Sequence, residues 1–162
     1  MTMTNRLALF SLLTAVAVAS PALAQTTRGK AETTLGGKTV TIDYGRPSLK
    51  GRDMLGRAAI GQQWRMGSDS ATTLKTDVDL AFGSVTVPKG SYVLEATRVT
   101  EKDWQLDVED ASGKQVAKVP LTASQVPESV EMLTIDLRED KGAGEFVMTW
   151  GTTALKTSFK AK

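Results

Sequence analysis

Apolar and polar side chains alternate with a period of two through most of the chain, which predicts β-strands with one buried face. Val40, Ile42 and Tyr44 alternate with Thr39, Thr41 and Asp43, and Gly36-Gly37 joins this run to Thr33-Thr34-Leu35 as a hairpin. Thr72 to Lys75 is a short β-branched run. Val78, Leu80 and Phe82 alternate, and Val85 and Val87 continue the pattern after Gly83. Pro88-Lys89-Gly90 marks a turn before Ser91 to Val99, where Tyr92, Leu94 and Ala96 share a face. Trp104, Leu106 and Val108 precede a turn at Asp110–Lys114. Val116 to Leu121 carries Pro120, which suits an edge position. Val130 to Leu137 is apolar on both faces, as expected of a central strand. Phe146, Met148 and Trp150 form another strand, and Leu155 to Phe159 the last.

About nine or ten strands at this turn spacing predict an all-β fold, a single antiparallel β-sandwich of jelly-roll-like type. Two stretches interrupt the pattern. Residues 45–67 are rich in Gly and Arg and predict an irregular loop, with one or two helical turns over Asp53 to Ile60. Ala123 to Glu128 predicts a connecting loop. No internal repeat or linker divides the chain after residue 24, so 25–162 is expected to be one domain.

The first 24 residues follow a different rule. Arg6 supplies a positive charge, Leu7 to Ser20 is almost wholly apolar, and Pro21 precedes Ala22-Leu23-Ala24. This is the pattern of a signal peptide cleaved after Ala24, and it is too short to span a bilayer comfortably. The mature protein is therefore expected in the periplasm or outside the cell, with no membrane span after cleavage. The chain has no Cys, so no acyl anchor is expected.

Composition then removes several kinds of chemistry. The chain has neither Cys nor His, and its single Asn, Asn5, lies in the signal segment. Disulfides, thiolate metal sites and thiol nucleophiles are excluded, as are Ser-His-Asp arrangements and sites of two His and a carboxylate. No cofactor, metal or catalytic residue is assigned. Charge is uneven: residues 25–75 carry nine Lys/Arg against four Asp/Glu, and residues 76–162 carry ten against fourteen. The excess of +5 in the first part and −4 in the second suggests that the N-terminal third meets something anionic, or that the two parts attract each other.

Within that basic third, Tyr44, Arg46, Lys50, Arg52, Trp64, Arg65 and Asp69 are the candidate ligand-binding residues. Between 44 and 65 there are five basic residues and one acid, Asp53, punctuated by Gly and Pro. Arg side chains beside Tyr and Trp combine charge for a carboxylate, phosphate or sulfate with an apolar platform. The plainer reading is that the arginines hold backbone carbonyls, the aromatics belong to the core, and an Arg65–Asp69 ion pair pins the loop.

The same segment resembles a known family. Tyr44, Arg46-Pro47-Ser48, Lys50-Gly51-Arg52, then Trp64-Arg65, Gly67 and Ala71-Thr72-Thr73 are similar to the exported bacterial family catalogued as DUF2911. Val87-Pro88-Lys89-Gly90-Ser91-Tyr92 resembles that family's Pro-Ala-Gly-x-Tyr turn, and Trp104 and Trp150 add support. Where the family shows Ala-Asn-Glu, this chain has Ser68-Asp69-Ser70. The resemblance covers nearly the whole of 25–162 and implies export and this fold, with no activity to carry over.

Other constellations are weaker. Asp77/Asp79 and Asp107/Glu109/Asp110 lack the spacing of a calcium loop and read as solvated strand faces. Gly51 to Gly56 lacks the Lys-Ser/Thr of a phosphate loop. Three functions follow. The first is a non-catalytic binding module whose basic, aromatic loop takes an anionic glycan, a cell-envelope component or an envelope protein. The second is a His-free hydrolase or lyase acting on a polysaccharide through carboxylates and Arg. The third is a structural or assembly protein whose loop braces the sandwich. Nucleic acid is not an expected partner, because the chain is expected to be exported and its basic cluster sits in one loop rather than along a groove.

Overall fold

A computed structural model describes residues 27–162, so the signal segment expected at 1–24 lies outside the described residues. Ten strands account for the regular structure: β1 (Arg28–Leu35), β2 (Lys38–Gly45), β3 (Gln63–Arg65), β4 (Thr72–Thr76), β5 (Leu80–Phe82), β6 (Val85–Val87), β7 (Gly90–Arg98), β8 (Asp103–Glu109), β9 (Gln115–Asp140) and β10 (Ala143–Ala161). All pairings are antiparallel, in the order β1-β2-β4-β7-β8-β9-β10-β5-β6, with β3 added beside β7. The sheet curls until β1 and β2 lie against β9 without a ladder between them. The result is one all-β sheet folded over a single core and not closed into a barrel.

Alternation decides which side chains enter that core. Val40, Ile42 and Tyr44 of β2, Leu94 and Ala96 of β7, and Leu106 and Val108 of β8 are buried. Val119, Leu133 and Ile135 of β9 and Met148 and Leu155 of β10 complete the same cluster. Burying side chains of this size stabilises the fold by about 1.5–3 kcal/mol each before conformational entropy is counted.

The structure differs from the pattern-based expectation in five places, the first being β3, a short strand inside the 45–67 stretch expected as an irregular loop. Residues 123–128, expected as a loop, are the middle of β9. There Thr122–Gln125 are laddered to Thr153–Lys156 of β10, while Ala123, Ser124, Gln125, Pro127 and Glu128 are all exposed. Neither face is covered, so the alternation that marks a half-buried strand is missing. The two expected terminal strands are one, β10, broken in register around Gly151. Gly151 has φ +64°, a conformation that lets the strand turn without a Cβ clash.

Val130 to Leu137 is not buried on both faces. Leu133 and Ile135 point into the core, while Val130, Met132 and Thr134 are half-buried, and the 47–50 loop pairs alongside this stretch. Asp53 to Ile60 forms turns rather than a helix. The Gly56 N–H donates to Asp53 Oδ1 at 2.9 Å and the Ala58 N–H to the Leu55 carbonyl at 3.2 Å, so side chain and short-range bonds replace a helical ladder. Pro120 stands where β9 is paired with β8 alone, since the β10 ladder begins at Thr122. Locally, that is an edge.

Candidate functional site

The basic loop is clipped onto β9, with Glu131 making the most hydrogen bonds. Glu131 accepts the Leu49 N–H at 3.0 Å and the Trp150 indole N–H at 3.2 Å on its backbone carbonyl. Its carboxylate accepts the Ser48 hydroxyl and, at 3.0 Å, the Lys50 N–H. The Leu133 N–H donates back to the Pro47 carbonyl at 3.0 Å. These bonds hold the Glu131 carboxyl below its ordinary range, the Ser48 hydroxyl contributing most and the Lys50 N–H next. The Pro47-Ser48-x-Lys50 run is thereby explained as a fastener: the Pro47 carbonyl, the Ser48 hydroxyl and the Lys50 N–H each have a partner on β9.

Tyr44 and Arg46 belong to the same fastening. Tyr44 is buried and donates its hydroxyl to the Ile135 carbonyl at 3.2 Å. Arg46 donates Nε to the Leu133 carbonyl and Nη2 to Thr134 Oγ1, both at 3.3 Å. The loop's second strand of chain, 66–70, is pressed against Gly45 so closely that a Cβ there would lie 2.1 Å from the Ser68 carbonyl oxygen. Arg65 donates to the backbone carbonyl of Asp69 at 2.7 Å rather than to its carboxylate. Asp69 itself has φ +60°. The local ion pair considered from the sequence is therefore a backbone contact.

What remains open is a cleft of about 400 Å³ between the 52–62 turns and β3. Arg52, Arg57, Gln62 and Gln63 supply its polar groups; Met54, Ala58, Ala59 and Trp64 supply its apolar surface, and none of its lining residues is acidic. Trp64 is stacked on Trp150 with centroids 5.9 Å apart and planes at 19°. Because Trp150 is buried and its N–H is anchored on Glu131, the Trp64 ring is held in place as a rigid platform. Arg98 holds the facing wall, donating to the Gly56 carbonyl at 3.1 Å and the Ala58 carbonyl at 3.3 Å. Among the described residues, ion pairs form at Arg28–Asp43, Lys30–Glu32 and Arg138–Asp136, so the Arg52 and Arg57 guanidiniums have no carboxylate partner.

Of the seven residues singled out from the sequence, Arg52 and Trp64 line this cleft. Tyr44, Arg46, Arg65 and Asp69 stand outside it, fastening the loop, and Lys50 is exposed on the loop's outer side. Arg57, Met54 and Gln63 were not singled out. Arg57 carried a signal, since it lies in the same basic stretch; Gln63 carried none.

Beside the cleft lies a polar trough on the outer face of β7 and β8. Asp107 is buried at 2% exposure and accepts Thr97 Oγ1 at 2.6 Å, Gln105 Nε2 at 2.7 Å and Gln115 Nε2 at 3.0 Å. Gln63 Nε2 donates to Glu109 at 2.7 Å. Glu95, opposite Asp107 on β7 and opposite Arg65 on β3, has its pKa raised by burial, then by Glu109 and Asp107, with Arg65 acting against them. Among the described residues no group of three or more acids is arranged to hold a metal ion.

The family model for a protein of unknown function, DUF2911, matches residues 26–159. The chain belongs to this DUF2911 family. No curated protein and no solved structure matches it significantly. For this DUF2911 protein, the motif residues Tyr44, Arg46, Pro47 and Ser48 therefore have a structural account in the loop fastening, and the cleft they hold open is the feature left for function.

Proposed function

We propose that this DUF2911 protein is an exported, non-catalytic binding module, working in the periplasm or outside the cell, whose cleft takes an anionic group carried on a glycan or other envelope component. One observation carries the reading: Arg52 and Arg57 face a recess that contains a fixed Trp platform and no acid to neutralise them. Guanidinium forks match planar or tetrahedral oxyanions, and the apolar floor accepts the face of a ring beside the charge. Export supplies the setting, because the N-terminal pattern is that of a cleaved signal.

Calorimetric titration of the purified protein with hyaluronan oligosaccharides, at low and high salt, tests this. Affinity should fall steeply with ionic strength, since the charges are exposed, and Arg52→Gln/Arg57→Gln should abolish it. Binding that ignores both salt and the double substitution would overturn the reading.

A second reading, a hydrolase or lyase on the same class of polymer, is favoured by one observation: a carboxyl with raised pKa, Glu95, stands across the strand pair from the ionisable Asp107. It requires products to accumulate and Glu95→Gln to stop them while binding persists. Asp107 is already saturated by three donors, which suits a scaffold better than a reacting group.

A further inference from the structure

The cleft is the first of three recesses that run in line across the outer face of β3, β7, β8 and β9. Gln63 walls both the cleft and a second recess of about 230 Å³. Gln105 and Lys118 wall both that second recess and a third of about 460 Å³. Strand register explains why they adjoin: Gln63 lies opposite Thr97, Thr97 opposite Gln105 and Gln105 opposite Pro120, with Lys118 two residues along opposite Asp107. Four strands at the usual spacing give a track of about 14 Å, with the loop cleft extending it beyond β3. Such a track is longer than one sugar ring.

Chemistry changes along the track. At the near end Arg52 and Arg57 form no ion pair, and the lining holds no acid. In the middle, Gln105 and Gln115 each donate one N–H to Asp107, and Gln63 donates one to Glu109. Each amide keeps its oxygen as an acceptor and a second N–H as a donor, and Lys118 stands against the two carboxylates, so the middle offers mixed hydrogen bonding that suits an uncharged unit better than a second anion. At the far end Lys102 and Lys118 stand beside Pro120 and Leu121; the one acid there, Asp103, is held by the Thr100 hydroxyl at 2.8 Å. Ile60 and Val99, both exposed, flank the bridge that joins the loop to the end of β7 and leave an apolar rim above the track.

Building on the binding reading above, we propose that the three recesses form one groove for an acidic polysaccharide whose charged sugars alternate with uncharged ones. The acidic groups sit at the Arg and Lys ends, and the uncharged unit lies on the polar middle. A polymer charged at every unit places an anion against Asp107 and Glu109 and is disfavoured.

Calorimetry on the full chain tests this with five probes: hyaluronan disaccharide and hexasaccharide, a galacturonate hexamer, a neutral chitin hexamer and hexaglutamate. The hyaluronan hexamer should bind at least about tenfold more tightly than the disaccharide, and more tightly than the other three. Lys102→Gln/Lys118→Gln should cost the hexamer about tenfold, equivalent to about 1.4 kcal/mol, and leave the disaccharide unchanged. Equal affinity for disaccharide and hexamer, with the far-end variant silent, overturns the groove while leaving the Arg52/Arg57 cleft intact. Galacturonate binding as tightly as hyaluronan overturns the alternation, and hexaglutamate binding more tightly assigns the track to an acidic peptide instead. Silence from every acidic saccharide, with Arg52→Gln/Arg57→Gln also without effect, removes both the groove and the cleft reading.

Discussion

Asp107 offers the sharpest test of how the outer face is organised. Its Oδ1 receives Gln105 and Gln115 and its Oδ2 receives Thr97, at a site 2% exposed. Hydrogen bonds to a charged acceptor contribute about 1.5–3 kcal/mol each. Three of them set an upper range of about 5–9 kcal/mol by the same figures, but Asp107→Ala opens the trough to water, which resatisfies the two glutamine amides. About 3 kcal/mol is the expected net loss, close to the value for a single buried charged bond. At about 2–4 °C per kcal/mol for a domain of this size, the midpoint should fall by about 10 °C. Asp107→Asn behaves differently. Its carbonyl oxygen keeps both glutamine donors, and the Thr97 hydroxyl rotates to accept from the new NH2, so the cost should stay near 1 kcal/mol. Urea unfolding of the three proteins measures both values, with an unchanged slope showing that the denatured state is the same. The reasoning fails if Asn costs as much as Ala, which would mean charge and not bond geometry holds the face together, or if Ala costs nothing.

Gly45→Ala places a methyl 2.1 Å from the Ser68 carbonyl oxygen, and since that atom is backbone, the 66–70 segment must move; a loss of about 1–3 kcal/mol in chemical denaturation is expected. Glu131→Gln should loosen residues 48–50 and raise their amide-exchange rates at neutral pH. Because the folded pKa of Glu131 is lowered, its contribution is present above the ordinary 4.5 and lost as pH falls through the folded value, so the two proteins should converge in acid. Glu95 has the opposite sign. Its folded pKa is raised above 4.5, so its contribution is complete below that value and is lost as pH rises through the folded pKa. Glu95→Gln should therefore raise the midpoint of unfolding at neutral pH and leave it unchanged below about pH 4; a destabilised variant at pH 7 would show that the Arg65 attraction outweighs burial and its acidic neighbours.

Period-two alternation determined most of the architecture from the sequence alone, because a strand with one covered face must repeat every second residue. Val40–Tyr44, Leu94–Ala96 and Trp104–Val108 are legible for that reason. The rule is silent where neither face is covered, and so the exposed middle of β9 and the short β3 were missed. Family membership was also readable, since the Tyr44–Arg52 and Trp64–Thr73 motifs are local strings. Their meaning was not. Whether an arginine grips a ligand or a backbone carbonyl depends on what stands within hydrogen-bond reach of it, and for Arg46 that is the Leu133 carbonyl at 3.3 Å, 87 residues away. Arg57 differs from Arg46 in nothing that composition or spacing records, and Arg52 donates its Nε to the Leu49 carbonyl at 3.2 Å; only the fold leaves both lining a cleft without a carboxylate partner. The groove is more remote still from sequence. Gln63, Gln105 and Lys118 lie on three strands and become neighbours through register alone, because ladder pairing, which sets side chains opposite each other, is decided by the whole sheet.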